Sequence, residues 1–151
     1  MWPEIDVFDL EREQDEKKIK LRTFRWRCFD QSKCKGVIFM IHGYGASNAD
    51  LCLVVKNLVL NDYDVYAMDM RGQGESQGDR GCFDSEEDLY NDHWAFIFEA
   101  CRRDQINVQK TPLFLCGRSF GGLVAAKMAA TTIGRKLFRA IILLSPFFKS
   151  F

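Results

Sequence analysis

Hydrophobic and polar positions change their period along this chain, and each change marks an element. Ile19, Leu21 and Thr23 alternate with Lys20, Arg22 and Phe24, and Arg25 and Arg27 then alternate with Trp26 and Cys28. This period of two predicts half-buried antiparallel strands with their arginines facing water. Residues 31–36 carry turn chemistry, and Val37-Ile38-Phe39-Met40-Ile41 is a continuous β-prone run, as expected of a strand covered on both faces. Leu51, Val54, Val55, Leu58 and Val59 repeat at helical spacing behind Ser47 or Asn48. Either can cap a helix, which is predicted to run to about Leu60 and to break at Asn61-Asp62.

The next strand covers 64–69 and is followed by a glycine-rich loop from Arg71 to Gly81, too irregular for a regular element. Ser85 with Asp88 makes a start like a capping box for a helix reaching about Arg103, with an apolar stripe through Leu89, Trp94 or His93, Ile97 and Cys101. Pro112 to Cys116 reads as a strand, Phe120 to Thr131 as a helix and Phe138 to Leu144 as a strand. After its antiparallel start the chain therefore alternates strand and helix, which predicts an α/β fold: a mainly parallel sheet with helices on both faces. Ligands in such sheets collect at the carboxyl ends of the strands, and His42, Asp69 and Ser119 all follow directly from strand ends.

Composition adds boundaries to this picture. The 151 residues suit one domain able to bury a substantial core. Charge dominates residues 9–20, so 1–17 is expected to be a solvated lead-in and 18–151 the domain. With 21 basic and 21 acidic side chains, no nucleic-acid footprint is present. The six cysteines are scattered without a C-x-x-C pair, so reduced thiols are expected. Met1 to Asp6 lacks the basic flank and apolar core of a secretory signal. The apolar stretch from Ala140 to Pro146 is far shorter than the ~20 residues that span a bilayer. A cytoplasmic location is the expectation.

Chemistry concentrates at Gly117-Arg118-Ser119-Phe120-Gly121-Gly122, where an apolar strand turns through G-x-S-x-G into a helix. A serine on such a turn needs glycine on both sides, because a Cβ at Gly117 or Gly121 would collide with neighbouring backbone. The pentapeptide alone also fits an ordinary glycine turn. Its context favours a nucleophile, since a second glycine-rich loop, His42-Gly43-Tyr44-Gly45, ends an earlier strand. Acyl transfer builds an oxyanion, and the backbone N–H groups of Phe120 and Tyr44 are the expected donors to it. Gly43 and Gly45 let that backbone approach a substrate.

A serine nucleophile also needs a base, normally a histidine oriented by a carboxylate. The chain has two histidines. His42 is expected to brace the loop it begins, and His93 lies mid-helix, where a surface or packing role is expected. Neither follows Ser119, whereas the chain order that goes with this turn is serine, acid, histidine. No base and no orienting acid are identified.

These motifs resemble those of the α/β-hydrolase superfamily, in particular the monoacylglycerol lipase and lysophospholipase-like group that shares its domain with serine aminopeptidases. The likeness covers residues 18 to 146. The 42–45 loop is similar to H-G-x-G, Asp69-Met70-Arg71-Gly72-Gln73-Gly74-Glu75-Ser76-Gln77-Gly78 resembles D-x-R-G-H-G-x-S-x-G, and the serine turn is similar to G-H-S-M-G-G. Gln73 and Arg118 stand where the group has structural histidines. The resemblance implies an α/β-hydrolase fold cut off after the strand that precedes a cap domain. It also implies Ser119 as nucleophile, Tyr44 and Phe120 as oxyanion donors, and His42, Gly43, Gly45, Gly117, Gly121, Asp69 and Arg71 as supporting residues. The substrate implied is a small acyl ester or lipid, met in transient contact with a membrane surface, with no metal or organic cofactor. A peptidase or thioesterase shares the same turn.

The last predicted strand bears on a different class of function. Ala140-Ile141-Ile142-Leu143-Leu144 is apolar on both faces, and as the end of a sheet it exposes a hydrophobic edge, extended by Phe147, Phe148 and Phe151. A non-catalytic binding or assembly protein, with a partner covering residues 140–144, is the alternative expectation.

Overall fold

The computed structural model of the protein describes residues 5–14, 17–83 and 85–148. In chain order the elements are β1 (Ile5–Gln14), β2 (Lys17–Trp26), β3 (Gly36–Ile41), α1 (Cys52–Leu60), β4 (Tyr63–Met68), α2 (Glu86–Arg103), β5 (Leu113–Arg118), α3 (Phe120–Ala130), α4 (Thr132–Leu137) and β6 (Ala140–Leu144). The six strands form one sheet in the order β1-β2-β4-β3-β5-β6. β1, β2 and β4 pair antiparallel in turn, whereas β4, β3, β5 and β6 run parallel. The expected α/β sheet with an antiparallel start is what forms.

β3 is buried along its whole length because helices cover both its faces. Its alternation sends Val37, Phe39 and Ile41 into the core beneath α2 and α3. Ile38 and Met40 go the other way, against Leu51, Val55 and Val59 at α1. Phe39 anchors the larger core, with its ring centroid 5.5 Å from Tyr66 and 5.9 Å, edge-on, from Phe96. The helix starts follow local chemistry. Ser47 and Asp50 form a capping box ahead of the 3-10 turn that leads into α1, and the Ser85 side chain accepts the Asp88 N–H at the start of α2.

Two expectations are corrected, and one short helix is added. The charged run over 9–20 is not a solvated lead-in: it supplies much of β1 and the start of β2, which make an edge hairpin, with Asp9 opposite Arg22 and Glu11 opposite Lys20. Asp15, Glu16 and Phe151 lie outside the described residues. The strand arginines do not all face water. Arg27 does, but Arg22 is half-buried beside Asp9 and Glu75, and Arg25 pairs with Asp6 and Asp104. A short helix, α4, follows α3 after Thr131 caps it by accepting the Gly134 N–H.

β6 ends the sheet. Ile141 and Ile142 are 39% and 36% exposed, and Phe147 and Phe148 beyond them are exposed too. Among the described residues no helix is long and apolar enough to cross a membrane. All six cysteines are free thiols.

Candidate active site

Ser119 joins β5 to α3 with φ 53° and ψ −120°, a backbone conformation that L-residues avoid. It persists because the surroundings hold it on both sides. The Ser119 N–H donates to Leu144 O at 3.0 Å, and Ser119 O accepts the N–H groups of Gly122 and Phe147, each at 2.9 Å. The turn is closed so tightly that a Cβ on Gly117 would lie 2.2 Å from Gly121 O, and one on Gly121 would lie 2.3 Å from His42 O. Ser119 is exposed, and its hydroxyl makes no hydrogen bond to a described residue.

The loop after β3 comes directly against this serine. A Cβ on Gly43 would sit 3.3 Å from Ser119 Cβ and 3.8 Å from Ser119 Oγ. Tyr44 reaches across the site, donating its hydroxyl to Gly81 O at 2.6 Å and packing edge-on to Phe120 at 6.1 Å. Phe83 stacks on Phe120 at 5.9 Å. Neither Tyr44 nor Phe120 donates its backbone N–H to a described acceptor. Phe120 directly follows Ser119, and Tyr44 directly follows Gly43. Gly45, at φ +71°, gives its N–H to Gln73 Oε1 at 2.9 Å.

Asp69 and Arg71 act on the loop behind. The Asp69 carboxylate accepts from Asn48 N and Nδ2 at 2.9 and 2.7 Å and from Glu75 N at 2.9 Å. It therefore holds the start of the α1 segment and the glycine-rich loop together. Arg71 makes a two-pronged pair with Asp92 on α2, Nε to Oδ2 at 2.6 Å and Nη2 to Oδ1 at 2.9 Å, both side chains being buried. Asp69 and Arg71 join loops and helices, and neither side chain hydrogen-bonds Ser119.

The histidines are occupied elsewhere. His42 is fully buried, donates from Nδ1 to Gly43 O at 2.8 Å and accepts the Met70 N–H at Nε2, 2.9 Å away. That pattern fixes the neutral tautomer with the proton on Nδ1, and burial lowers its pKa. His93 donates from Nδ1 to Leu89 O at 2.7 Å, leaves Nε2 without a partner, and is pushed down to about 4 by burial. Both are structural bases held in the core.

Sequence reasoning missed Gln73 and Asp92 as supports. Asp92 carried a signal, an acid on the same helix face as Leu89, Phe96 and His93, where only a buried cation could sit opposite it. An apolar cavity of about 320 Å³ on the α1 face, lined by Phe24, Trp26, Asn48, Cys52 and Val55, does not include Ser119.

Strand order, helices on both faces and a serine on a strained strand-to-helix turn define an α/β-hydrolase. A soluble variant of monoglyceride lipase from Saccharomyces cerevisiae, solved with a substrate analog, shares the fold with a TM-score of 0.77 at 23% identity, covering 97% of this chain and 46% of that one. A carboxyl esterase from Bacillus coagulans does so with a TM-score of 0.73 at 19% identity, covering 91% and 43%. Residues 32–150 match the family model described as serine aminopeptidase, S33, and the chain belongs to that family. Human monoglyceride lipase is 30% identical over 116 residues, which is 74% of this chain and 35% of that protein. The chain spans less than half the length of each of these three relatives.

Proposed function

We propose that this chain carries the nucleophile and oxyanion portion of a serine hydrolase of ester bonds. Ser119 Oγ adds to the carbonyl carbon of the substrate, and the carbonyl oxygen takes up negative charge between the N–H groups of Tyr44 and Phe120. Collapse of that intermediate releases the alcohol with a proton and leaves an acyl-serine. Water repeats the addition and frees the acid. Fixed donors of this kind contribute about 2.7–4 kcal/mol each when judged by deletion. Gly43, Gly45, Gly117 and Gly121 keep the two loops close enough for this, and His42, Asp69 and Arg71 hold the loops in place.

One observation carries the reading: an exposed serine held at φ 53° and ψ −120° between a strand and a helix. Backbone strain of this sort costs about 1–3 kcal/mol and clusters at functional sites. A general base must accept the Ser119 proton, and this reading requires one other than His42 or His93. The relatives named as monoglyceride lipase and carboxyl esterase favour a small acyl ester or lipid over a peptide or thioester. Transient contact with a membrane surface and a cytoplasmic setting, in keeping with six free thiols, belong to the same proposal.

The test is covalent labelling of the protein isolated from its native source with a fluorophosphonate. One label per chain on the peptide containing Ser119, absent from Ser119→Ala, is expected. Labelling at another residue, or none, removes Ser119 as nucleophile.

A second reading rests on Ile141 and Ile142, whose exposure leaves an apolar sheet edge open to pairing. Here the chain is a non-catalytic assembly protein with a partner along residues 140–144. Recovery of the native protein as a soluble monomer counts against it.

A further inference from the structure

At the end of the sheet away from Ser119, two thiols and a carboxylate meet. Cys28 follows the end of β2, Cys34 precedes β3, and Asp64 is the second residue of β4. The Sγ atoms of Cys28 and Cys34 and a carboxylate oxygen of Asp64 all lie within 4.8 Å of one another. Cys28 and Asp64 are buried, Cys34 is half-buried and Gln31 is exposed, so the cluster is closed on the Cys28 and Asp64 side. Asp64 is held rigidly, because its Oδ1 accepts the Cys28 N–H at 2.8 Å and the Gln31 side-chain amide at 2.9 Å. The same Gln31 Nε2 stands 3.3 Å from Cys28 Sγ. An N–H donor thus lies where sulfur and carboxylate both point electron density, the position a cation would take. With the Gln31 carboxamide turned over and withdrawn from that position, its oxygen is a fourth donor to a cation held by the two sulfurs and Asp64.

We propose that Cys28, Cys34, Asp64 and Gln31 form a site for a thiophilic divalent cation, of which zinc is the type, that ties the β2–β3 connection to β4. Two sulfurs and two oxygens make a four-donor set suited to tetrahedral coordination, and thiolates select zinc over magnesium or calcium. Four protein donors leave no open position, so the site is structural. Binding displaces the two thiol protons to solvent. No C-x-x-C pair announces the site; the spacing is C-x5-C, and β4 supplies the third ligand from elsewhere in the chain. The site is independent of the reading of Ser119.

The reduced full chain, titrated with Co²⁺ as an optical probe and then with Zn²⁺, tests the proposal. One Co²⁺ per chain is expected, with a thiolate charge-transfer band and tetrahedral d–d bands that Zn²⁺ bleaches, and Zn²⁺ raises the thermal midpoint. Cys28 is buried, so the half-buried Cys34 carries the mutational test. Cys34→Ser abolishes the charge-transfer band and the zinc-induced shift in midpoint while keeping the circular dichroism of the wild type. Gln31→Ala weakens zinc binding about tenfold. A variant lacking the two exposed thiols, Cys52→Ser with Cys82→Ser, keeps both signals. Absence of the band from the reduced wild-type chain, or a band that survives Cys34→Ser, overturns the site. A Cys28–Cys34 disulfide that forms under air equally fast with and without zinc overturns it as well.

Discussion

The buried side chain of Gln73 holds the backbone of Gly45: Gly45 N–H donates to Gln73 Oε1 at 2.9 Å, tying the glycine-rich loop after β4 to the loop beside Ser119. The other half of that amide, Nε2, is buried without a partner. Gln73→Ala is expected to lower stability by about 1–2 kcal/mol in urea denaturation, by freeing a backbone donor. In the labelling reaction, it is expected to slow modification of Ser119. Gln73→His is expected to cost less than Gln73→Ala, because one imidazole nitrogen can accept the same N–H while the other, protonated, stands in for the amide NH2.

Two glycines of the site separate steric crowding from backbone conformation. Gly121→Ala puts a Cβ 2.3 Å from His42 O and 2.4 Å from Ile41 O, both main-chain atoms that cannot swing aside. Its cost is expected to be roughly 3 kcal/mol or more. Gly45→Ala meets nothing within 4 Å but must adopt φ +71°, so its cost is about 1–2 kcal/mol. Chemical denaturation of the two variants side by side measures the difference, and equal losses would contradict this assignment of causes.

Arg71 and Asp92 form a pair with side chains only 5% and 1% exposed. Removing one partner leaves a buried charge, so Arg71→Met is expected to cost about 3–5 kcal/mol. Arg71→Met with Asp92→Leu removes both charges and is expected to cost distinctly less than the two single changes summed. A double-mutant cycle reads this directly.

The buried histidines make stability depend on pH with a definite sign. Burial pushes His93 down to about 4 in the folded protein, against the ordinary histidine value of 6.5. The unfolded chain therefore binds more protons between those values, and stability is complete above about pH 6.5 and falls as the pH drops toward 4. The depression corresponds to at most about 3 kcal/mol, and His42, also lowered by burial, acts in the same direction. Urea midpoints at pH 7 and pH 4.5 are expected to differ less in His93→Leu than in the wild type. An unchanged difference would assign the acid sensitivity to other groups.

Legibility in the sequence followed locality. β3, β4, β5, α1, α2 and α3 were readable because burial on one or two faces imposes its period on adjacent residues. β1 was not, since an edge hairpin can carry charge on almost every residue and still pair its backbone. Arg25 misled for a related reason: it reads as outward-facing until Asp6 and Asp104, from remote parts of the chain, are placed around it. The serine turn and the 42–45 loop were visible as motifs because close backbone approach demands glycine at fixed spacing. Gln73 and the Cys28–Cys34–Asp64 cluster depend on contacts between distant segments, and no local period encodes those; Asp92 shows on the apolar face of α2, but its partner Arg71 does not.

The hydrogen bonds from Ser119 N–H to Leu144 O and from Phe147 N–H to Ser119 O make the outermost strand a mechanical arm of the reactive turn. A protein segment that zips onto β6, or strips it away, pulls on the residue whose backbone is already the most strained in the sheet-to-helix junction. Edge occupancy and the backbone geometry of residue 119 are thereby joined, so under the proposed assignment of Ser119 its labelling rate is expected to report what lies alongside residues 140–144.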